Sequence, residues 1–248
     1  MASKFKKYFF LASWRLGAGL AVLWLMASAP AMAKPRVVLD AAHGGNDPGV
    51  KFKSEVEKDW NYKIAQALQK AFEGAGFEVV MIRKGDSVIT PEKRIELINT
   101  SQASAVIILH VDREWTGAQR GPYLVAEPPT RPEAGDSLEI QKWGFVSPAL
   151  YHSSLKLARA IGQKLGVNTE FSNLSDTRGL AGEPTSPEGK VFCLPHQSLR
   201  FLTLPSVVLT PLFLSSTSDI KKYSSSGNLT DFSDKVVSAT SEFLQISQ

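Results

Sequence analysis

Short apolar runs alternate with amphipathic stretches along most of the chain. Continuous runs predict buried strands over Arg36–Asp40, Phe77–Ile82, Ala105–Leu109 and Val207–Leu214. A further strand over Gly121–Ala126 is predicted at the edge of the sheet. Apolar residues at helical spacing predict four helices, over Glu57–Ala75, Pro91–Ala103, Leu150–Leu165 and Asp231–Leu244. Strands that are apolar on both faces and alternate with helices indicate an α/β fold, a single domain with a mostly parallel mixed sheet flanked by helices.

The stretches between these elements are rich in Pro, Gly, Ser and Thr. Residues 128–149 contain four prolines and are predicted to be irregular, as a possible loop insertion. Residues 166–190 are predicted to be rich in loops, and residues 215–226 to form a surface loop. The domain itself is expected to cover residues 34–248.

Residues 1–33 have the layout of a secretory signal peptide. A basic region reaches from Lys4 to Arg15, an apolar core follows over Leu16–Ala27, and Ala31-Met32-Ala33 forms an A-x-A cleavage site. The alternative is an uncleaved membrane anchor, but the apolar run is short for a bilayer span. We therefore expect an exported protein that contacts a membrane only through this segment before cleavage.

Charge changes the picture once this segment is removed. The chain of 248 residues has a net charge of +4 from 28 basic and 24 acidic residues, and four of the basic residues lie within residues 1–33. The remaining chain is neutral, which argues against a nucleic-acid-binding function. The single cysteine, Cys193, excludes an intrachain disulfide and a Cys-rich zinc module, and its apolar neighbours suggest a buried thiol.

Two histidines lie just beyond predicted buried strands, where α/β proteins build their sites. His43 follows the first strand in a Gly-rich loop, and His110 follows the strand Ala105–Leu109. Glu57 begins the intervening helix. Two imidazoles and a carboxylate make a plausible zinc site with a fourth position open to water.

Each of these residues also has a simpler structural interpretation. His43 and His110 could be histidines at strand ends with no metal, and Glu57 could close a capping box with Ser54. Glu55 is the second choice for the carboxylate ligand. Asp40 is expected either to orient His43 or to cap a turn. His152 and His196 are expected to be structural or exposed.

Four segments together resemble the zinc-dependent N-acetylmuramoyl-L-alanine amidases. They are similar, in order and spacing over residues 36–244, to the family's four motifs: Asp40–Gly49, Val56–Asn61, Ile107–Asp112 and Pro205–Ser216. The resemblance implies a periplasmic or cell-surface hydrolase that cleaves the amide between N-acetylmuramic acid and L-alanine in peptidoglycan. It further implies that His43, Glu57 and His110 bind zinc. In some relatives an insertion near residues 128–149 covers the active site until a partner displaces it, so Asp136–Trp143 is either such a helix or plain loop.

One residue departs from the family in a way that bears on catalysis. The fourth motif of the family carries a glutamate that acts as general base and then general acid, and this chain has Thr210 at that position. The Gly and Asn that follow in the family are Leu212 and Ser216 here. A hydroxyl is neutral at working pH, and losing a general base typically lowers the rate about 10²- to 10⁴-fold.

Another carboxylate is therefore needed if the protein turns over substrate. Asp112 lies two residues beyond His110, and if the strand continues, both side chains project to one face. Asp112 is the predicted replacement base, or a hydrogen-bond partner of a ligand imidazole. Glu114, Glu183 and Glu188 lie in loops and are less well placed. The alternative function is a catalytically impaired amidase that binds peptidoglycan or a partner protein.

Overall fold

The computed structural model describes residues 34–113, 123–126, 147–172, 190–193 and 199–245. The described residues from Pro35 onward form one compact unit. The predicted signal peptide, nearly all of the insertion at 128–149, and Glu114, Glu183, Glu188 and His196 lie outside the described residues.

A seven-stranded mixed sheet forms the centre of the described fold. Its strands are β1 (Arg36–Ala41), β4 (Glu78–Met81), β5 (Ala105–Leu109), β6 (Tyr123–Ala126), β7 (Asn168–Ser172), β8 (Lys190–Cys193) and β9 (Ser206–Thr210). Their spatial order is β4-β1-β5-β9-β6-β8-β7. A separate two-stranded hairpin pairs β2 (Lys51–Phe52) with β3 (Glu55–Val56). The predicted α/β class and the mostly parallel mixed sheet are confirmed.

Four adjacent strands, β4, β1, β5 and β9, run parallel. The residues of β1, β5 and β9 are almost all buried, which explains why their sequences are apolar without alternation. Ala41 pairs with Leu109, and Leu109 pairs with Leu209, so the carboxyl ends of these three strands reach the same edge. The loops that leave this edge carry His43 and His110.

Helices cover both faces of the sheet. They are α1 (Glu57–Gly74), α2 (Pro91–Asn99), α3 (Pro148–Leu165), α4 (Thr217–Ser224) and α5 (Ser226–Phe243). Residues of α1, α3 and α5 pack with Leu39, Ile107 and Leu209 in one hydrophobic cluster. Ile98 of α2 packs with Ile108 and Val208 in another. Alternate residues of each strand thus contact opposite layers of helices.

The predicted edge strand lies inside the sheet instead. β6 is antiparallel to β9 on one side and pairs with β8 on the other. β7 and β8 extend the sheet beyond it, and β7 arises from a segment predicted to be loop. The prediction was wrong because short strands such as Asn168–Ser172 carry no apolar run that separates them from loop.

The segment after β9 also differs from the prediction. The strand ends at Thr210 rather than Leu214, because Pro211 has no N–H to continue the ladder. The predicted loop at 215–226 contains α4, whose first turn is capped by Ser216: the Asp219 N–H donates to Ser216 Oγ at 3.2 Å. Tyr223 of α4 is buried. Among the described residues, none of the helices combines the length and apolar character that crossing a bilayer requires.

Candidate metal centre

His43, Glu57 and His110 come together at the carboxyl edge of the parallel strands. The Ala42 N–H donates to the Leu109 carbonyl at 3.1 Å, which ties the His43 loop to the end of β5. Glu57 is the first residue of α1 and points toward the same place from the neighbouring layer. The structure thus assembles the three residues that the sequence analysis selected.

The donor atoms of these residues converge closely. Glu57 Oε1 lies 3.3 Å from His43 Nε2 and 2.9 Å from His110 Nδ1. One donor atom from each residue lies within 4.8 Å of the other two. Two imidazole nitrogens and one carboxylate oxygen are a donor set that zinc prefers, and three protein ligands leave a position for water. The residues therefore fit a zinc ion.

Glu57 is almost fully buried, with 3 % of its surface exposed. Its Oε2 atom accepts a hydrogen bond from the Val50 N–H at 2.8 Å, and its Oε1 atom lies 3.3 Å from the Val111 N. Burial acts to raise the pKa of Glu57, but the hydrogen bonds from His110 and His43 outweigh it and hold the pKa well below its usual range. The carboxylate is therefore ionised, as a metal ligand must be.

The fold supports neither the capping role of Glu57 nor Glu55 as the alternative ligand. Val56, rather than Ser54, is the N-cap residue of α1, and no side chain caps this helix. The capping-box interpretation of Glu57 was therefore wrong. Glu55, the second choice as ligand, accepts a hydrogen bond from Trp60 Nε1 at 2.6 Å and is not part of the converging cluster.

Asp47 orients the His43 ring, a role that the sequence analysis missed. Asp47 Oδ2 lies 2.8 Å from His43 Nδ1, and Asp47 Oδ1 accepts from the Gly49 N–H at 3.1 Å. This bond leaves Nε2 to face Glu57. The bond with Glu57 raises the pKa of His43, against the effect of burial. The signal in the sequence was the Asp-Pro-Gly turn four residues after the histidine.

Gly49 is required at its position by the side chains of His43 and Glu57. Its φ is +64°, in the left-handed region. A Cβ atom there would lie 2.5 Å from Glu57 Oε2 and 2.7 Å from His43 Cδ2. Only glycine allows the backbone to pass this close to both side chains.

Within the part of the chain that the structure describes, the carboxylate of Asp40 bonds Arg94 rather than the His43 ring. Its buried carboxylate pairs with Arg94 Nη1. Burial raises the pKa of Asp40, and the positive charge of Arg94 acts in the opposite direction. Arg94 also donates to the main-chain carbonyl of His43 at 2.6 Å. Asp40 is thus linked to His43 through Arg94.

Thr210 is the residue that the resemblance to the amidases aligned with the catalytic glutamate of the family. It ends β9, next to the strand that leads into His110, and the His110 N–H donates to the Leu209 carbonyl at 3.2 Å. Thr210 is fully buried, and its hydroxyl has no hydrogen-bond partner within the described residues. Leu212 is buried in the larger hydrophobic cluster, whereas Ser216 caps α4.

The structure does not continue β5 to Asp112, the predicted replacement base. β5 ends at Leu109, and Asp112 forms an isolated bridge with Phe213 instead. Its Oδ1 atom accepts from the Arg113 N–H at 2.6 Å. The premise that His110 and Asp112 share the face of one strand was therefore wrong. His152 is exposed on α3 and lies against Tyr151, away from the converging cluster.

The sequence is similar to those of known cell wall amidases. The family model for N-acetylmuramoyl-L-alanine amidase matches residues 37–242. The chain is 28% identical over 187 residues to the Probable cell wall amidase LytH of Staphylococcus aureus, covering 74% of this chain and 49% of that protein. The chain spans between about a third and a half of the length of the first curated relatives that it matches.

Solved structures share the fold at low sequence identity. The CwlD amidase of Clostridioides difficile, solved in complex with the GerS lipoprotein, has a TM-score of 0.64 and 20% identity, covering 86% of this chain and 100% of that one. Ami1 of Mycobacterium smegmatis has a TM-score of 0.61 and 16% identity, covering 86% and 98%. These likenesses support the fold, and the family model spans most of the sequence. The chain belongs to the N-acetylmuramoyl-L-alanine amidase family.

Proposed function

We propose that this protein is a zinc-dependent amidase of the cell envelope that cleaves the amide between N-acetylmuramic acid and L-alanine in peptidoglycan. The observation that supports the proposal most is the convergence of His43, Glu57 and His110 at the carboxyl edge of the sheet. Membership of the amidase family supplies the substrate class.

His43, Glu57 and His110 would hold the zinc ion. When bound, zinc lowers the pKa of a water ligand and polarises the carbonyl of the scissile amide. Asp47 holds the His43 ring so that Nε2 is directed to the cluster, and Val50 and Val111 fix the Glu57 carboxylate. These contacts hold the side chains of His43 and Glu57 in place.

Proton transfer to the leaving amine needs a group other than Thr210. The Thr210 hydroxyl is buried and neutral, so it neither accepts a proton from water nor delivers one to the amine. We propose Asp112 as the base, because its main chain is fixed beside the fourth motif: the Leu214 N–H donates to the Asp112 carbonyl at 2.7 Å. Its carboxylate then has to leave the Arg113 N–H to reach the site.

The buried Thr210 also favours a second candidate function. A protein that keeps the ligands but lacks the base would bind peptidoglycan through its metal site without hydrolysing it. Both candidates require zinc, and they differ in whether peptide is released.

Location and partners follow from the same proposal. The signal-peptide pattern over residues 1–33 supports export to the periplasm or cell surface, where peptidoglycan lies. The CwlD amidase was solved in complex with a lipoprotein, and we propose that this chain likewise binds a partner protein, which activates it. The neutral charge of the chain after residue 33 gives it no general attraction for nucleic acid.

The experiment is digestion of purified peptidoglycan by the zinc-loaded protein, with mass spectrometry of the released peptides. We expect peptides that begin with L-alanine, and we expect both a chelator and His43→Ala to abolish their release. His152→Ala is the matched control, since it removes an exposed histidine outside the cluster. Zinc-loaded protein that binds peptidoglycan without releasing peptide would favour the second function.

A further inference from the structure

His43 has a backbone conformation that the rest of the fold must hold in place. Its φ is +63°, a region that residues other than glycine rarely occupy. Left to itself, the chain would move toward negative φ and turn the imidazole away from Glu57. Contacts from outside the loop add to the loop's own hydrogen bonds in stabilising the observed conformation.

Arg94 is the side chain that reaches the His43 peptide group from another element. It lies in the first turn of α2, on the face of the sheet opposite α1. Arg94 Nη2 donates to the His43 carbonyl at 2.6 Å, and Nη1 donates to the Ala41 carbonyl at 3.2 Å. One guanidinium thus holds carbonyls on both sides of the turn that presents the imidazole.

The guanidinium is itself fixed by two further contacts. Nη1 pairs with the buried carboxylate of Asp40, and Nε donates to the Ile89 carbonyl at 3.2 Å. A planar group with donors in a fixed fork can satisfy all these acceptors together, whereas a lysine has a single nitrogen. Asp40 lies on β1 and Ile89 lies just before α2, so the contacts join the His43 loop to two rigid elements.

We infer that Arg94, held by Asp40, is a positioning residue for the metal centre: it fixes the left-handed conformation of His43 and so sets the affinity for zinc. This inference rests on the proposed zinc site. It concerns neither a ligand nor a group that contacts substrate. Loss of an outer partner of a metal ligand typically lowers metal affinity about 10- to 100-fold.

Arg36 provides a matched control at the other end of β1. Arg36 Nη2 pairs with Glu78 at 2.8 Å, and Nη1 donates to the Ser101 carbonyl at 2.6 Å. Arg36→Met therefore removes the same charge, an ion pair and a carbonyl contact, but at the edge of the sheet away from the ligands. Any effect common to both variants reflects stability rather than positioning.

The test measures zinc affinity by chelator competition and the visible absorption of the cobalt-loaded protein, in full-length wild type, Arg94→Met and Arg36→Met. We expect Arg94→Met to bind zinc about 10- to 100-fold more weakly and to change the cobalt spectrum, with Arg36→Met like wild type. Arg94→Lys, which keeps the charge but not the fork, should be intermediate, and it replaces Arg94→Met if that variant does not fold.

Equal losses of affinity in Arg94→Met and Arg36→Met, or wild-type affinity and spectrum in Arg94→Met, would overturn the positioning role. Failure of wild type itself to bind zinc would instead overturn the proposed function. In Asp40→Asn, we expect a loss that does not add to that of Arg94→Met, because both act through one contact.

Discussion

Asp47 Oδ2 lies 2.8 Å from His43 Nδ1, while the Nε2 atom of the same ring lies 3.3 Å from Glu57 Oε1. One carboxylate thus contacts each nitrogen of the imidazole. The Asp47 carboxylate holds Nδ1 and leaves Nε2 for a metal. The Glu57 carboxylate lies beside Nε2, where the same metal would contact it.

Replacing Asp47 is therefore expected to weaken zinc binding. Asp47→Ala should lower zinc affinity about 10- to 100-fold, because the ring loses its orienting partner. Asp231→Ala is the control: Asp231 is 63% exposed against 61% for Asp47, and it pairs with Lys235 in the same i,i+4 spacing. Chelator competition measures the zinc affinity of both variants. Equal affinities for the two variants would contradict the orienting role.

Substitution of Gly49 tests whether the side chains of Glu57 and His43 leave room for a Cβ atom at this position. Gly49→Ala introduces a Cβ 2.5 Å from Glu57 Oε2, in addition to the cost of a left-handed alanine, roughly 1–2 kcal/mol. Gly166→Ala isolates the second cost, since Gly166 has a φ of +73° and no atom within 4 Å of the added carbon. We expect Gly49→Ala to lower Tm further than Gly166→Ala and to lose zinc. Similar Tm values for the two variants, with zinc retained in Gly49→Ala, would contradict this prediction and show that the loop can move to accommodate the added carbon.

The raised pKa of His43 gives zinc binding a pH dependence. Zinc must displace a proton from His43 below this pKa, so we expect apparent affinity to rise with pH and then to level off. Calorimetry in buffers of different ionisation enthalpy should detect a proton released from His43 as the pH falls through its raised pKa, separate from any proton that zinc-bound water loses at high pH. Release that does not change with pH would contradict the His43–Glu57 contact as the cause.

The contact between His43 and Glu57 also makes the stability of the metal-free protein depend on pH. Zinc affinity is expected to rise with pH, whereas this contribution to stability falls. The folded-state pKa of His43 lies above its usual value of 6.5, so its stabilising contribution is full below pH 6.5 and is lost as the pH rises through the raised pKa. Above the usual pKa of Glu57, 4.5, the Tm difference between wild type and Glu57→Gln should therefore shrink as the pH rises. A difference that grows with pH would refute this assignment.

Thr210→Glu distinguishes the two candidate functions. In a protein that lacks a base, the new carboxylate should raise the rate of peptide release by up to about 10²- to 10⁴-fold, whereas with Asp112 as the base the rate should stay nearly unchanged. Thr210→Val is the control, because valine has nearly the same shape as threonine but no hydroxyl. It removes a buried hydroxyl without a partner among the described residues, so its Tm should equal or exceed that of wild type. With zinc bound, a gain in Thr210→Glu would contradict Asp112 as the base, and no gain would contradict an amidase that has only lost its base.

The three converging residues could be selected from the sequence because each follows a local pattern. His43 and His110 come directly after continuous apolar runs, and such runs end at the edge where α/β folds place their sites. Glu57 was identified only by the motif around it, since its spacing from Ser54 also suited a cap.

The supporting residues could not be predicted in the same way. Arg94 is 51 residues from His43, and its role appears only when α2 packs on the sheet. Asp112 was placed on an extension of β5 that does not form, because the strand ends at Leu109. Strand β7 and helix α4 were missed because Asn168–Ser172 and Thr217–Ser224 are polar and short, and their surroundings decide their structure.

The most direct test of the account is the zinc content of the purified protein after reconstitution. We predict about one zinc per chain in wild type and in His152→Ala, since three protein ligands suffice for such a site. His43→Ala and His110→Ala should each hold far less zinc while keeping the fold. Wild type without bound zinc, or ligand variants that retain a full equivalent, would contradict the metal centre on which the proposed function depends.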